Sequence, residues 1–145
     1  MANSNKIGFS LIILGLFFIA EALTSSYVTP SLDKCRELAD IVFVGTVMSI
    51  EEFTVEKTSP YMPDTAENVK FKISTGYKNV SSDTILIRNV MIGGWGFNFE
   101  KDKEYLVFAD FQDDGSYNVG VNSGTKLSSQ ATEDIAALKL ILMKK

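Results

Sequence analysis

The sequence contains no histidine, one cysteine and three prolines in 145 residues. Without histidine there is no Ser-His-Asp or Cys-His nucleophile, no imidazole general base and no His-containing zinc site. A single cysteine excludes an intrachain disulfide and a Cys-rich metal cluster. Basic residues are outnumbered too: 14 Lys and Arg stand against 18 Asp and Glu, a formal charge of −4. Phosphate contacts need clustered Lys and Arg, so this balance argues against a nucleic-acid binder. No catalytic residue, cofactor or resident metal is assigned, and a protein that works by binding is expected rather than an enzyme. What is present is an ordinary globular composition, 46% hydrophobic and 22% charged, at a length that predicts one domain.

The N-terminus carries an address. Met1 to Lys6 is short and polar, Ile7 to Ala20 is continuously apolar, and Glu21 interrupts. As a helix this run reaches about 21 Å, short of the roughly 30 Å of a bilayer core. Ala20 and Ala22 supply small residues for a cut before Leu23, and Thr24 and Ser26 do so for a second cut before Tyr27. The pattern predicts a secretory signal peptide over residues 1–22, with cleavage as late as 26. An uncleaved membrane anchor is the alternative. The mature domain, 23–145, is then secreted: extracellular, or periplasmic in a bacterium, and off the membrane once the signal is removed. Lys6 and Glu21 leave together, so its charge stays at −4.

Along that domain the hydrophobic period is mostly two, the mark of strands with one buried face. Val69 to Ser74, Phe97 to Glu100 and Tyr117 to Val121 alternate apolar and polar residues. Ile41 to Ile50 is a longer run, apolar on both faces, with Gly45 at its middle. Glycine inside such a strand marks a bulge or a sharp coil. Thr84 to Val90 and Tyr105 to Ala109 complete five or six strands. Ser31 predicts the cap of a short helix before the first strand, and Ser129 that of a C-terminal helix packing through Ile135, Leu138 and Leu142. Glu56 to Asn68, holding Pro60 and Pro63, is the longest irregular stretch. Together these elements predict a mainly β fold, an OB-type Greek-key β-barrel of five to six strands with a short N-terminal helix and a C-terminal helix.

Four segments then carry a resemblance: ADIVFVGTV (Ala39 to Val47), VKFKISTGYKN (Val69 to Asn79), FEKDKEYLVFAD (Phe99 to Asp110) and SGTKLSSQATEDIAAL (Ser123 to Leu138). In order and spacing the chain resembles the inhibitory domain of the tissue inhibitors of metalloproteinases, and the wider netrin-like domains of OB fold. In that family the mature N-terminus begins Cys-x-Cys, and the first residue's α-amino nitrogen and carbonyl oxygen chelate the protease's catalytic zinc. The two cysteines are tied by disulfides to the loop before the fourth strand and to the end of the fifth. Here Leu23 to Pro30 contains no cysteine, and neither do Met91 to Gly96 nor Val121 to Gly124. Cys35 resembles the family's third N-terminal cysteine, without its mate. The resemblance implies a protein partner, a zinc metalloproteinase, met by the amine of Leu23 or Tyr27 with Tyr61, Met62 and Trp95 flanking. The alternative is a non-inhibitory netrin-like module that binds a matrix or cell-surface protein.

Each candidate has a structural reading beside the functional one. Trp95, in a glycine-rich loop, is either a recognition anchor or a cap on the barrel's open end. Tyr61 and Met62, between two prolines, are contact residues or ordinary loop. Asp110 to Gly115 has a superficial calcium-loop pattern, but Gln112 and Val121 stand at ligand positions and Asp114-Gly115 predicts a hairpin turn. Glu51, Glu52, Glu100 and Glu104 are expected to be solvated surface, and Cys35 a buried helix residue. Asn79-Val80-Ser81 is an N-glycosylation sequence at a predicted turn.

Overall fold

The computed structural model describes residues 30–56, 59–61, 65–91, 96–120 and 122–144. Ser31 caps helix α1 (Leu32–Leu38) as its position predicts, its Oγ accepting from the Lys34 amide at 3.4 Å. The far end is closed from a distance. The Lys78 ammonium donates to Arg36 O at 2.9 Å, to Glu37 O at 3.1 Å and to Ala39 O, placing a cation where the helix leaves carbonyls unpaired.

Six strands follow: β1 (Ile41–Thr54), β2 (Thr65–Lys78), β3 (Thr84–Asn89), β4 (Glu104–Phe111), β5 (Tyr117–Asn118) and β6 (Lys126–Leu127). They form one sheet in the order β1-β2-β3-β5-β4-β6, and a further β1–β4 pairing turns the first five into a ring. Every pairing is antiparallel except β3–β5, which meets at Ile87 and Tyr117. β1 uses both edges at once, since Val42–Thr46 pair with β2 while Ile41–Thr46 pair with β4. A register shift falls between Val44 and Gly45, where the sequence predicts a bulge.

A core on each side of β1 explains why Ile41 to Ile50 is apolar on both faces. Side chains alternate across a strand, so Ile41, Phe43 and Val47 join one cluster with Val69, Phe71, Ile87, Tyr105 and Val107. Val42 and Val44 join a second cluster, with Cys35, Tyr77, Leu106, Phe108, Ala131 and Leu138. β4 splits the same way, Tyr105 and Val107 to the first core and Leu106 and Phe108 to the second. Both helices contribute to the second core only.

Several expectations need correction. Phe97 to Glu100 forms no strand: the Phe99 amide turns back to Phe97 O at 3.1 Å. Both rings instead join an aromatic cluster, with centroids 4.8 Å apart and Phe99 5.1 Å from Tyr105. β1 and β2 run further than their apolar pattern, pairing from Glu51↔Asn68 to Thr54↔Thr65. This extension joins two mostly polar segments, in which Ala66 is the buried residue, so alternation does not signal it, and it shortens the expected loop. Ser129 lies in a 3-10 turn, and α2 (Thr132–Met143) begins after Ala131, which gives no side-chain cap and is 1% exposed. Burial of Ala131 therefore sets this start. Leu138 is 1% exposed and Ile135 packs beside it, but Leu142 lies outside the cluster at 40% exposed. Tyr117 to Val121 is strand only at Tyr117–Asn118, and Val121 lies outside the described residues. No helix among the described residues is long and apolar enough to cross a membrane.

The two faces of α2 separate in a denaturant experiment. Leu138→Ala should lower unfolding stability by about 2–5 kcal/mol, and Leu142→Ala by no more than about 0.5 kcal/mol, measured from urea midpoints at constant slope.

Candidate functional site

Alternation along β3 puts Ile85, Ile87 and Asn89 on one face, so a polar amide enters the core. Asn89 is fully buried. Its Nδ2 donates to Phe97 O at 2.8 Å and to Glu67 Oε2 at 3.0 Å, and its Oδ1 accepts from the Phe97 amide at 3.0 Å. One side chain thus closes the β3–β4 loop at its base and fastens it to β2. Gly96, beside the clamp, has φ of 92°, and a Cβ there would stand 3.0 Å from Val90 O and 3.1 Å from Asn89 Oδ1. Only glycine fits this position without strain.

Arg88, on the opposite face, joins three elements at the rim above that loop. Its Nη1 donates to Asp114 Oδ2 at 2.6 Å, and its guanidinium carbon lies 4.8 Å from the Phe53 ring centroid. The end of β1, the end of β3 and the β4–β5 turn therefore meet. Between them runs an open groove of about 430 Å³, lined by Val55, Glu56, Arg88, Val90, Gln112, Asp113, Asp114, Ser116 and Asn118. The turn is a hairpin, as predicted: the Gln112 amide donates to Ser116 O at 2.8 Å and the Gly115 amide to Gln112 O at 2.9 Å. Asp114 is committed within it. The Ser116 hydroxyl, then the Ser116 amide and more weakly Arg88, hold its carboxyl below the ordinary carboxylate range. Among the described residues, no three His, Cys, Asp or Glu side chains gather as a metal site.

Of the residues singled out in the sequence, Tyr61 lies beyond the paired part of β1 and β2 and is 87% exposed, its amide donating to Ser59 Oγ at 3.3 Å. Leu23, Tyr27, Met62 and Trp95 lie outside the described residues. Asn79 is exposed in the β2–β3 turn. Glu51, Glu52, Glu100 and Glu104 are all exposed. Cys35 is buried against the second core, its thiol donating to Pro30 O at 3.5 Å, and burial pushes its pKa up. A Cβ on Gly124 would lie 2.8 Å from this sulfur, so a glycine fills the space beside it. Asn89 was missed in the sequence, although a polar residue on the buried parity of a strand is its visible signal. Arg88 had none, because Phe53 and Asp114 reach it only through the fold.

At the same end of β4, just before the turn, Asp110 sits near Asp40. Burial raises its pKa above 3.8, the Asp40 carboxylate adds to the rise, and Lys78 opposes it. Asp40 itself is engaged, its Oδ2 accepting from the Phe111 amide at 2.7 Å. The chain matches no protein-family model, and no curated protein matches it in sequence.

Asn89→Ala leaves the part-buried Phe97 amide without its acceptor, while Phe97 O keeps the Phe99 amide, and should destabilise by about 1–3 kcal/mol. Hydrogen exchange at the Phe97 amide should rise with it. A raised carboxyl pKa means that the folded state binds this proton more tightly than the unfolded chain. Its penalty is full above the raised value and fades as pH falls toward 3.8. Asp110→Asn should therefore gain most over wild type near pH 7, and the gain should shrink steadily on acidification, as read from urea midpoints across pH.

Proposed function

We propose that this chain is an exported OB-type, netrin-like protein that resembles metalloproteinase inhibitors and blocks a zinc endopeptidase through its N-terminus and the neighbouring rim. In support of the barrel, β4, β1, β2 and β3 are antiparallel neighbours in that order. That order agrees with a Greek key, and the β1–β4 pairing covers an edge of each of those strands as closure of a barrel would. The inhibitory reading comes from the resemblance, and one observation keeps it physically workable. Where the family staples the loop before the fourth strand with a disulfide, Asn89 fastens the base of the same loop through Phe97 and Glu67. A loop whose base is held beforehand loses less entropy on binding than one free at both ends.

On this reading the free amine and first carbonyl of Leu23 or Tyr27 take the open coordination position of the protease zinc and displace its water. Tyr61 is an aromatic side chain ready to be buried by a partner. The segment leading to Pro30 has no disulfide to hold it, so its ordering costs about 1–2 kcal/mol of backbone entropy per residue. That cost, and the glycine beside Cys35, favour the second reading: a binding module of the same fold that recognises a matrix or cell-surface protein without touching zinc.

The mature chain with a free N-terminus should inhibit at least one zinc endopeptidase at micromolar concentration. Acetylating that amine should abolish the inhibition, and Tyr61→Ala should weaken it by about 1–2 kcal/mol. Inhibition unchanged by acetylation would remove the chelation step. No inhibition across a panel of such proteases, with a matrix or cell-surface protein captured from the native extracellular fluid, would establish the second reading.

A further inference from the structure

Asn79-Val80-Ser81 is the one Asn-x-Ser or Asn-x-Thr sequence in the chain, and it forms the turn that links β2 to β3. Its three side chains divide between core and surface. Val80 packs against the first core, while Asn79 and Ser81 are exposed. Asn79 has φ of 50°, in the left-handed region that asparagine enters more readily than most residues. Its Nδ2 carries two donors, and among the described residues one is engaged, to Asp40 O at 3.0 Å.

This turn borders a groove of about 390 Å³ whose lining includes Asn79, Ser82, Leu86, Gly115 and Tyr117. Leu86 is 51% exposed at its surface. Here the ring is also least complete. β3 meets β5 through the pair Ile87↔Tyr117, so among the described residues Thr84 to Leu86 are paired to β2 on one side and to no strand on the other. An uncovered stretch of strand beside an exposed leucine is a place where another chain could add by pairing.

We propose that Asn79 is an N-glycan attachment site and that the first sugars of the glycan lie in this groove, over Leu86 and the open edge of β3. The inference rests on the export proposed above, because the sugar is added in the secretory lumen. In the transfer, Nδ2 bonds to the anomeric carbon of a lipid-pyrophosphate-linked oligosaccharide. The bond from that carbon to the pyrophosphate oxygen breaks, the lipid pyrophosphate leaves, and one amide proton passes to a base of the transferase. The N–H that remains keeps its bond to Asp40 O, so the modification is compatible with the turn as folded. Sugar C–H faces then rest on Tyr117 and Leu86, with hydroxyls toward Ser82.

The test is expression of the full chain in a eukaryotic secretory cell, with intact masses measured for medium and lysate before and after peptide N-glycosidase. The secreted chain should carry a glycan mass that the enzyme removes, converting Asn79 to Asp. Asn79→Gln and Ser81→Ala should lose this mass, and Ser81→Thr should keep it. A sugar held in the groove should come off the native protein about tenfold more slowly than off the unfolded chain. Equal rates would overturn the groove placement. A secreted chain without sugar would overturn the attachment site while leaving export standing, and an unmodified chain confined to the cytosol would overturn both.

Discussion

The structure depends on β1 burying both of its faces. A strand apolar on one side asks for one core; Ile41 to Val47 asks for two, and the ring supplies them. Phe43 and Val47 fill the space that β2, β3 and β4 enclose, while Val42 and Val44 meet α1 and α2. The two cores are coupled through the same residues of the same strands, because β4 alternates in step with β1 across their pairing. Removing either helix would expose the outward residues of both central strands, and opening the ring would expose the inward ones. With no disulfide available, apolar burial on two faces is the dominant cohesive contribution, on the order of 2 kcal/mol for each large side chain fully removed from water.

Where the two cores end, buried polar side chains complete the backbone's hydrogen bonding. Thr125 is one: its Oγ1 accepts from the Phe108 amide at 3.0 Å and donates to Phe108 O at 3.3 Å, serving β4 just where β6 stops. Lys78 closes the end of α1 across the sheet, and Asn89 closes the β3–β4 loop. Each matches a fixed backbone geometry, and Thr125 and Asn89 are themselves buried, so removing either would leave backbone hydrogen bonding incomplete beside the core. These three residues perform locally what a staple would do globally. They fix where chain segments end, while the cores fix how the strands lie.

Much of this was legible beforehand, for physical reasons. Alternation exposed the buried face of β2, and the double apolarity of Ile41 to Ile50 announced a strand with work on both sides. Ser31 and the Asp114-Gly115 turn are local chemistry, and local chemistry is visible in sequence. What stayed hidden depended on long-range partners. The extension of β1 past Ile50 is stabilised by pairing with Thr65–Asn68, a mostly polar segment that gives no apolar alternation. Phe97 and Phe99 alternate like a strand, yet their rings are claimed by Tyr105 and Phe71, and burial of aromatic area outweighs a short ladder. Of the candidate site, Tyr61 was legible because prolines flank it, whereas the Arg88 junction requires residues 35 positions before it and 26 after it to converge.

The rim inherits its geometry from this division. Asn89 and Arg88 are consecutive on β3, so strand alternation sends one inward and the other outward. Asn89 fixes the loop from below, and Arg88 fixes the β4–β5 turn and the end of β1 from outside. A movement of β3 along its own axis would disturb both at once. Three segments distant in sequence are thereby held to one strand that is itself locked by Ile87 in the first core. Surface presented in this way is costly to rearrange and, for the same reason, loses little freedom when a partner covers it. Tyr61 is placed differently: it stands beyond the paired strands with most of its ring in solvent, and it brings apolar area to a contact without being held in advance.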